Sequence, residues 1–217
     1  IEADPDLVLA HWGLAYAVGP NYNKDWDVFD ENELVESLAT AHASAARAAE
    51  LADAGHGTPA EQALARALVA RFPAAQPPED FAPWKDGYVA ATAEVYAAFP
   101  DDLDVITVHA DALMSLTAWQ LWEVATGEPA EGAHTLEVKA LLERGLALPG
   151  GFEHPGLLHL YVHLMEMSAH PEEALPAADA LRDLVPDAGH LVHMPTHIDV
   201  LLGDYARVIE GNTRAIA

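Results

Sequence analysis

"AHPEEALPAADALRDLVP", residues Ala169–Pro186, and "GDYARVIEGNTRAIA", residues Gly203–Ala217, decide the fold between them. Laid over one another they are offset by 34 positions (203 against 169), and Ala174 falls on Val208 as the small residue where two paired helices would touch. The same register gives the first segment a closing proline, Pro186. Each segment has the apolar spacing of a helix. The period therefore describes a helix pair that is built twice, over 154–186 and 187–217.

Outward from there the helical signal continues almost without interruption. "DPDLVLAHWGLAYAVGP" predicts a helix stopped by Gly19-Pro20, and "ENELVESLATAHASAARAAELADAG" a long one closed by Gly55, suited to the left-handed residue after a helix. "TPAEQALARALVARF" begins with Thr58, Pro59 and Glu61, the pattern of a capping box. "WKDGYVAATAEVYAAF", "DLDVITVHADALMSL" and "TLEVKALLERGLAL" add three more helices. No segment alternates convincingly as a strand, so the chain reads as all-α. Trp119 and Trp122 in "AWQLW" suit core packing or an aromatic wall, and Asn21 and Asn23 in "GPNYNKDWD" suit a turn that could also meet a ligand.

A 34-residue period with a small or glycine turn residue, a small residue five later and a terminal proline resembles the tetratricopeptide repeat. "AHWGLAYA" looks like a third first-helix, and 101–148 like a repeat with an insertion. The strings "HWGLAYAVGPNYN", "ADALMSLTAWQLW", "HPGLLHLYVHLMEMS" and "AGHLVHMPTHIDVLLGDY" are similar to a bacterial family of tetratricopeptide-repeat proteins whose members are longer than this chain. The resemblance implies a single helical domain over 1–217, an α-solenoid of antiparallel helix pairs wound as a right-handed superhelix. With Ile1 in place of Met and a helical pattern still running at Ala217, the expectation is a piece of a longer protein.

Composition narrows the function. Ten Lys and Arg stand against 35 Asp and Glu, formally −25, so phosphate backbones and anionic lipid would be repelled and neither nucleic acid nor membrane is an expected partner. No apolar run approaches the ~20 residues that span a bilayer. Cysteine is absent, which removes disulfides and thiolate metal sites and fits a cytoplasmic setting. Cations, a small molecule, or a protein or peptide partner remain.

The sharpest signal lies in the histidines. Under the 34-residue offset His159 lands on His193 and His163 on His197, and each pair is spaced i,i+4 on one helix face. His190 adds a ring one turn earlier, and His154 sits just before the first helix. The resemblance implies that these first helices line a concave groove, the usual binding face of such stacks. Isolated histidines (His42, His56, His109, His134, His170) read as solvated or singly hydrogen-bonded. For the repeated pairs, a duplicated structural histidine bonded to backbone or carboxylate competes with a metal site of His154, His159, His163, His190, His193 and His197.

Imidazole-only donors suit copper, iron, nickel and zinc, and calcium and magnesium prefer oxygen. Copper or iron is placed ahead of zinc here. Glu166, one turn after His163, is the candidate catalytic group: a base, a carboxylate ligand, or an acceptor that orients an imidazole N–H. Asp199 is a second candidate, and Tyr161, Met165 and Met194 are expected to give the cleft an apolar wall. Pro195 either kinks one helix or sits in the first turn of a helix starting near Met194. The resulting expectation is a metal-dependent enzyme acting on a small molecule, an oxidoreductase ahead of a hydrolase. The alternatives are a repeat scaffold that captures a peptide or protein and a sensor whose clustered histidines charge near pH 6.

Overall fold

The computed structural model describes residues 1–217 and is mostly helical, with eleven α-helices and one small hairpin. The chain forms two compact units, Ile1–Trp119 and Gln120–Ala217. No helix is long and apolar enough to cross a membrane.

Unit 1 holds α1 (Val8–Val18), α2 (Glu31–Asp53), α3 (Pro59–Arg71), α4 (Ala82–Ala98) and α5 (Leu103–Met114). Their ends follow local chemistry. Asp30 and Asp102 accept from the backbone N–H three residues on, and Thr58 and Glu61 form a reciprocal capping box. Gly55 (φ 92°) closes α2, with Gly55 N donating to Ala52 O and His56 N to Leu51 O. That pair of bonds needs a left-handed residue, which glycine supplies without a Cβ penalty. The many alanines let α1, α2 and α3 approach closely: Ala15, Ala41 and Ala45 are buried beside Leu38, Leu64, Leu68 and Phe72, and Ala65 beside Val8, Ala48 and Leu51.

Unit 2 opens with a hairpin that the sequence reading did not contain, β1 (Trp122–Glu123) against β2 (Glu128–Pro129). Two residues per strand are too few to show alternation. Its anchors are a hydrogen bond from Trp122 Nε1 to Leu164 O at 2.6 Å and one from Thr135 Oγ1 to Leu121 O. Trp122 is therefore tied to Leu164, 42 residues further along the chain. Then follow α6 (Thr135–Ala147), α7 (Pro155–Met165), α8 (Leu175–Leu181), α9 (Gly189–His193), α10 (Pro195–Leu201) and α11 (Tyr205–Ala215).

The first 34-residue segment makes a shorter helix than its pattern suggested, because Pro171–Ala174 is a 3₁₀ turn and α8 begins only at Leu175. Pro176 lacks an N–H and would clash with the carbonyl four residues back, so it fits only in the first turn. Pro195 acts likewise: the chain breaks at Met194, and Pro195 starts α10. His190 and His193 accordingly lie on a short helix of their own.

Two close approaches fix α11. A Cβ on Gly211 would lie 2.6 Å from the Thr196 methyl, and one on Gly189 would lie 2.5 Å from Ala215 O. Only glycine allows α11 to sit this near α9 and α10. Beneath them Arg182 holds Asp199 with two bonds, Nη1 to Oδ2 at 2.9 Å and Nη2 to Oδ1 at 3.0 Å. Asp199 is thus engaged by arginine, so the one cation between Gly145 and Ala206 is already neutralised.

Candidate metal centre

Five imidazoles meet in unit 2. His159 and His163 come from α7, His190 and His193 from α9, and His197 from α10. Neighbouring ring centroids lie 4.7 Å apart for His159–His163 and for His193–His197, 5.0 Å for His159–His190 and 5.9 Å for His163–His197. The ligating nitrogens of His159, His163 and His190 all fall within 4.8 Å of one another, close enough to bind a metal ion. His163 is buried, His159, His193 and His197 are half-buried, and His190 is exposed, so the cluster opens to solvent at the His190 end.

What orients the rings is Glu166. Its Oε1 lies 2.8 Å from His163 Nδ1, and its Oε2 accepts from His197 Nδ1. A carboxylate only accepts, so both histidines carry a proton on Nδ1, and Nε2 is the nitrogen each would offer to a metal. His193 is treated the same way by Asn212. Asn212 Nδ2 donates to Val208 O at 2.9 Å, which turns Oδ1 toward His193 Nδ1 at 2.6 Å. The reversed amide would set two oxygens against each other, so the side chain has one sensible orientation.

The consequence is that His193 and His197, each with Nδ1–H spoken for, face one another through Nε2 at 2.9 Å. His159 and His190 also approach Nε2 to Nε2, at 3.0 Å, a distance at which one ring can donate an N–H to the other. Two lone pairs at that separation require a proton or a cation between them. Nitrogens ~2.0–2.1 Å from one ion lie about 2.9 Å apart at a right-angle geometry and about 3.4 Å apart at a tetrahedral one. The spacing of the imidazole nitrogens therefore allows a metal ion, with Glu166 and Asn212 behind three of the rings as the hydrogen-bond acceptors that metal-bound imidazoles ordinarily have.

Electrostatics agree. Burial pushes the His159 imidazole down to about 3, and the neighbouring His163 and His190 add to the shift. His190 is lowered by burial and by His163, His193 and His197. For Glu166, burial works upward, but hydrogen bonds from His163 and His197 overcome it and hold the carboxyl at about 2. A neutral His159 and His190 beside an ionised Glu166 are protonation states that favour metal binding.

These shifts set a pH dependence for the metal-free protein. Below about 6.5 the unfolded chain protonates His159 while the folded one does not until about 3, so stability falls through that window. The stability from Glu166 is present above its ordinary 4.5 and is lost toward 2, which adds to the decline below 4.5. With chelator present, the urea midpoint of unit 2 should fall by about 0.5 M or more between pH 7 and pH 5, and His159→Gln should flatten that segment. A midpoint constant over that range would contradict the assigned states.

Other predicted residues are put to different use. His154 caps α7, its Nδ1 accepting from Leu157 N at 3.2 Å. Tyr161 donates to Glu143 Oε1 at 3.1 Å, and Met165 and Met194 are core residues with at most 1 % exposure, so none of the three walls a cleft. Glu166 has both oxygens engaged and is a weak base, which suits the orienting role. Asn21 makes a turn, accepting from Asn23 N and Lys24 N. Of the isolated histidines, His42 bonds Phe72 O, His109 bonds Thr92, His134 bonds Glu137 and His170 bonds Glu172. The residue that sequence reasoning missed is Asn212. Its signal was weak: an asparagine inside a helix, where its side chain competes with the backbone and needs a reason to be there.

Compared with protein-family models, curated proteins and solved structures, the chain matches none.

Proposed function

We propose that unit 2 is a metal-binding module in which His159, His163, His190, His193 and His197 hold a transition-metal ion, and that the metal-loaded protein is an enzyme acting on a small molecule. The carrying observation is the orientation of the rings: Glu166 and Asn212 take the Nδ1 protons of three of them, and two Nε2–Nε2 pairs converge at 2.9 and 3.0 Å. Five imidazoles exceed the four ligands that close a purely structural zinc site. The exposed His190 end is the side from which a small substrate can enter. Copper or iron bound by imidazoles would supply redox or oxygen chemistry, and zinc would supply a Lewis acid. The chain's own contribution is to keep Glu166 ionised and to fix the direction of the rings that it and Asn212 hold.

The scaffold reading is tetratricopeptide-like. α7 packs on α8, α8 on α10, and α10 on α11, the succession expected of two stacked helix pairs. Protein prepared without chelator should carry near-stoichiometric metal, and His163→Ala combined with His197→Ala should abolish it. Full metal content in the double variant would refute the assignment. Loaded wild type, but not His193→Ala, should turn over at least one member of a small-molecule panel with O2 present. If removing the metal collapses the fold and no ion supports turnover, the ion is structural.

A further inference from the structure

The five imidazoles of unit 2 crowd together, yet they do not converge on one point. A ring bound through nitrogen at ~2.0–2.1 Å has its centre about 3.2 Å from the ion, so two rings on one ion are at most about 6.4 Å apart, and only when diametrically opposite. His190 and His193 are 6.4 Å apart. On a shared ion they would face each other across it. His163, 6.1 Å from His190, would then have to stand nearly opposite His190 as well, where His193 leaves it no room.

The rings separate into two groups. The ligating nitrogens of His159, His163 and His190 lie within 4.8 Å of one another, and that group contains neither His193 nor His197. His193 and His197 form a pair of their own, Nε2 to Nε2 at 2.9 Å, with each Nδ1 turned away to Asn212 or to Glu166. Two nitrogens ~2.0–2.1 Å from an ion and at right angles to each other are about 2.9 Å apart, so this pair has the bite of a bidentate chelate. Glu166 stands between the groups: Oε1 is 2.8 Å from His163 Nδ1, and Oε2 accepts from His197 Nδ1. Burial works against its charge, but the hydrogen bonds from His163 and His197 keep it ionised. One negative charge thus lies behind both groups, where it offsets the repulsion between two neighbouring cations.

We propose that the cluster is a two-ion centre, in which His159, His163 and His190 hold one first-row transition-metal ion and His193 and His197 chelate a second. This rests on the reading of these imidazoles as metal ligands and concerns how many ions they hold. Sets of three and of two protein ligands both fall short of the four that close a structural zinc, so each ion keeps a position for water or another oxygen donor. Glu166 orients one ring in each set and so supports both ions. The chain's formal charge of −25 favours the accumulation of two dications.

Titration of the metal-free full chain with Zn²⁺, followed by calorimetry and by metal analysis after equilibrium dialysis, tests this. Wild type should take up two ions per chain in two steps, the three-histidine step the tighter. His193→Ala should keep the first step and lose the second. His190→Ala, at the exposed end, should keep the step supplied by His193 and His197 and weaken the other by about tenfold or more. Asn212→Ala keeps every imidazole and only frees His193, so it should weaken the second step alone by about tenfold, whatever His193→Ala does to folding. One ion per wild-type chain overturns the two-ion centre and leaves the metal reading standing. No ion at all overturns both. A second ion that survives both His193→Ala and Asn212→Ala at full affinity sits elsewhere and overturns the proposal.

Discussion

Arg182→Ala should destabilise unit 2 by about 3–5 kcal/mol, seen as a fall of more than about 10 °C in its thermal transition. The reason is the partner left behind. Asp199 is 1 % exposed, and both its oxygens accept from the one guanidinium. Without Arg182 the carboxylate is buried and alone, a state far costlier than the pair itself is favourable. Arg182→Lys keeps the charge but cannot reproduce the fork, so it should lose an intermediate amount. Removing both charges, as in Arg182→Met with Asp199→Leu, should recover most of the loss. A single variant as stable as wild type would show that Asp199 finds water or another donor.

Glu166→Gln should reduce metal affinity by about 10- to 100-fold while leaving secondary structure intact. The carboxylate accepts from two rings on two helices, and an amide can accept from only one while presenting its NH2 to the other. The ring that faces the NH2 must turn or change tautomer, and its Nε2 lone pair leaves the cluster. Titration of chelated protein with Cu²⁺ or Zn²⁺, read by calorimetry, measures this directly. Asn212→Ala should act in the same direction and more weakly, since it releases only His193. Affinity unchanged in Glu166→Gln would mean that His163 and His197 are not oriented through Glu166.

How far the sequence anticipates these features follows from the range of the forces involved. Helix ends are legible because caps act within four residues: Thr58 and Gly55 declare themselves locally. The i,i+4 pairs His159/His163 and His193/His197 are legible for the same reason. Pro195 was visible as a break and Pro176 was not read as one, and how much helix each removed depended on whether the chain could restart on its far side. The hairpin at Trp122 was hidden, since its stability comes from Leu164 and Thr135 and not from its own pattern. Asn212 was hidden likewise, because the approach of α11 that Gly189 and Gly211 permit decides it, and the engagement of Asp199 by Arg182 was hidden because it joins the end of α8 to α10. Met165 and Met194 looked like cleft residues only because periodicity reports a face, and both turn out to lie on the inner one.

The bonds that aim the imidazoles are also the bonds that hold helices together. Glu166 fastens α7 to α10 through His197, and Asn212 fastens α11 to α9 through His193. His163, His193 and His197 therefore cannot swing without straining the packing of four helices, and their rotamers are chosen during folding and not when a ligand arrives. Immobilising a side chain of this kind on binding ordinarily costs ~0.5–1.5 kcal/mol. A flexible histidine tract meets that cost for every ligand it recruits. Here folding has met it beforehand, so the cluster is preorganised: an incoming ion finds its donors waiting in place and loses affinity only to the protons it must displace.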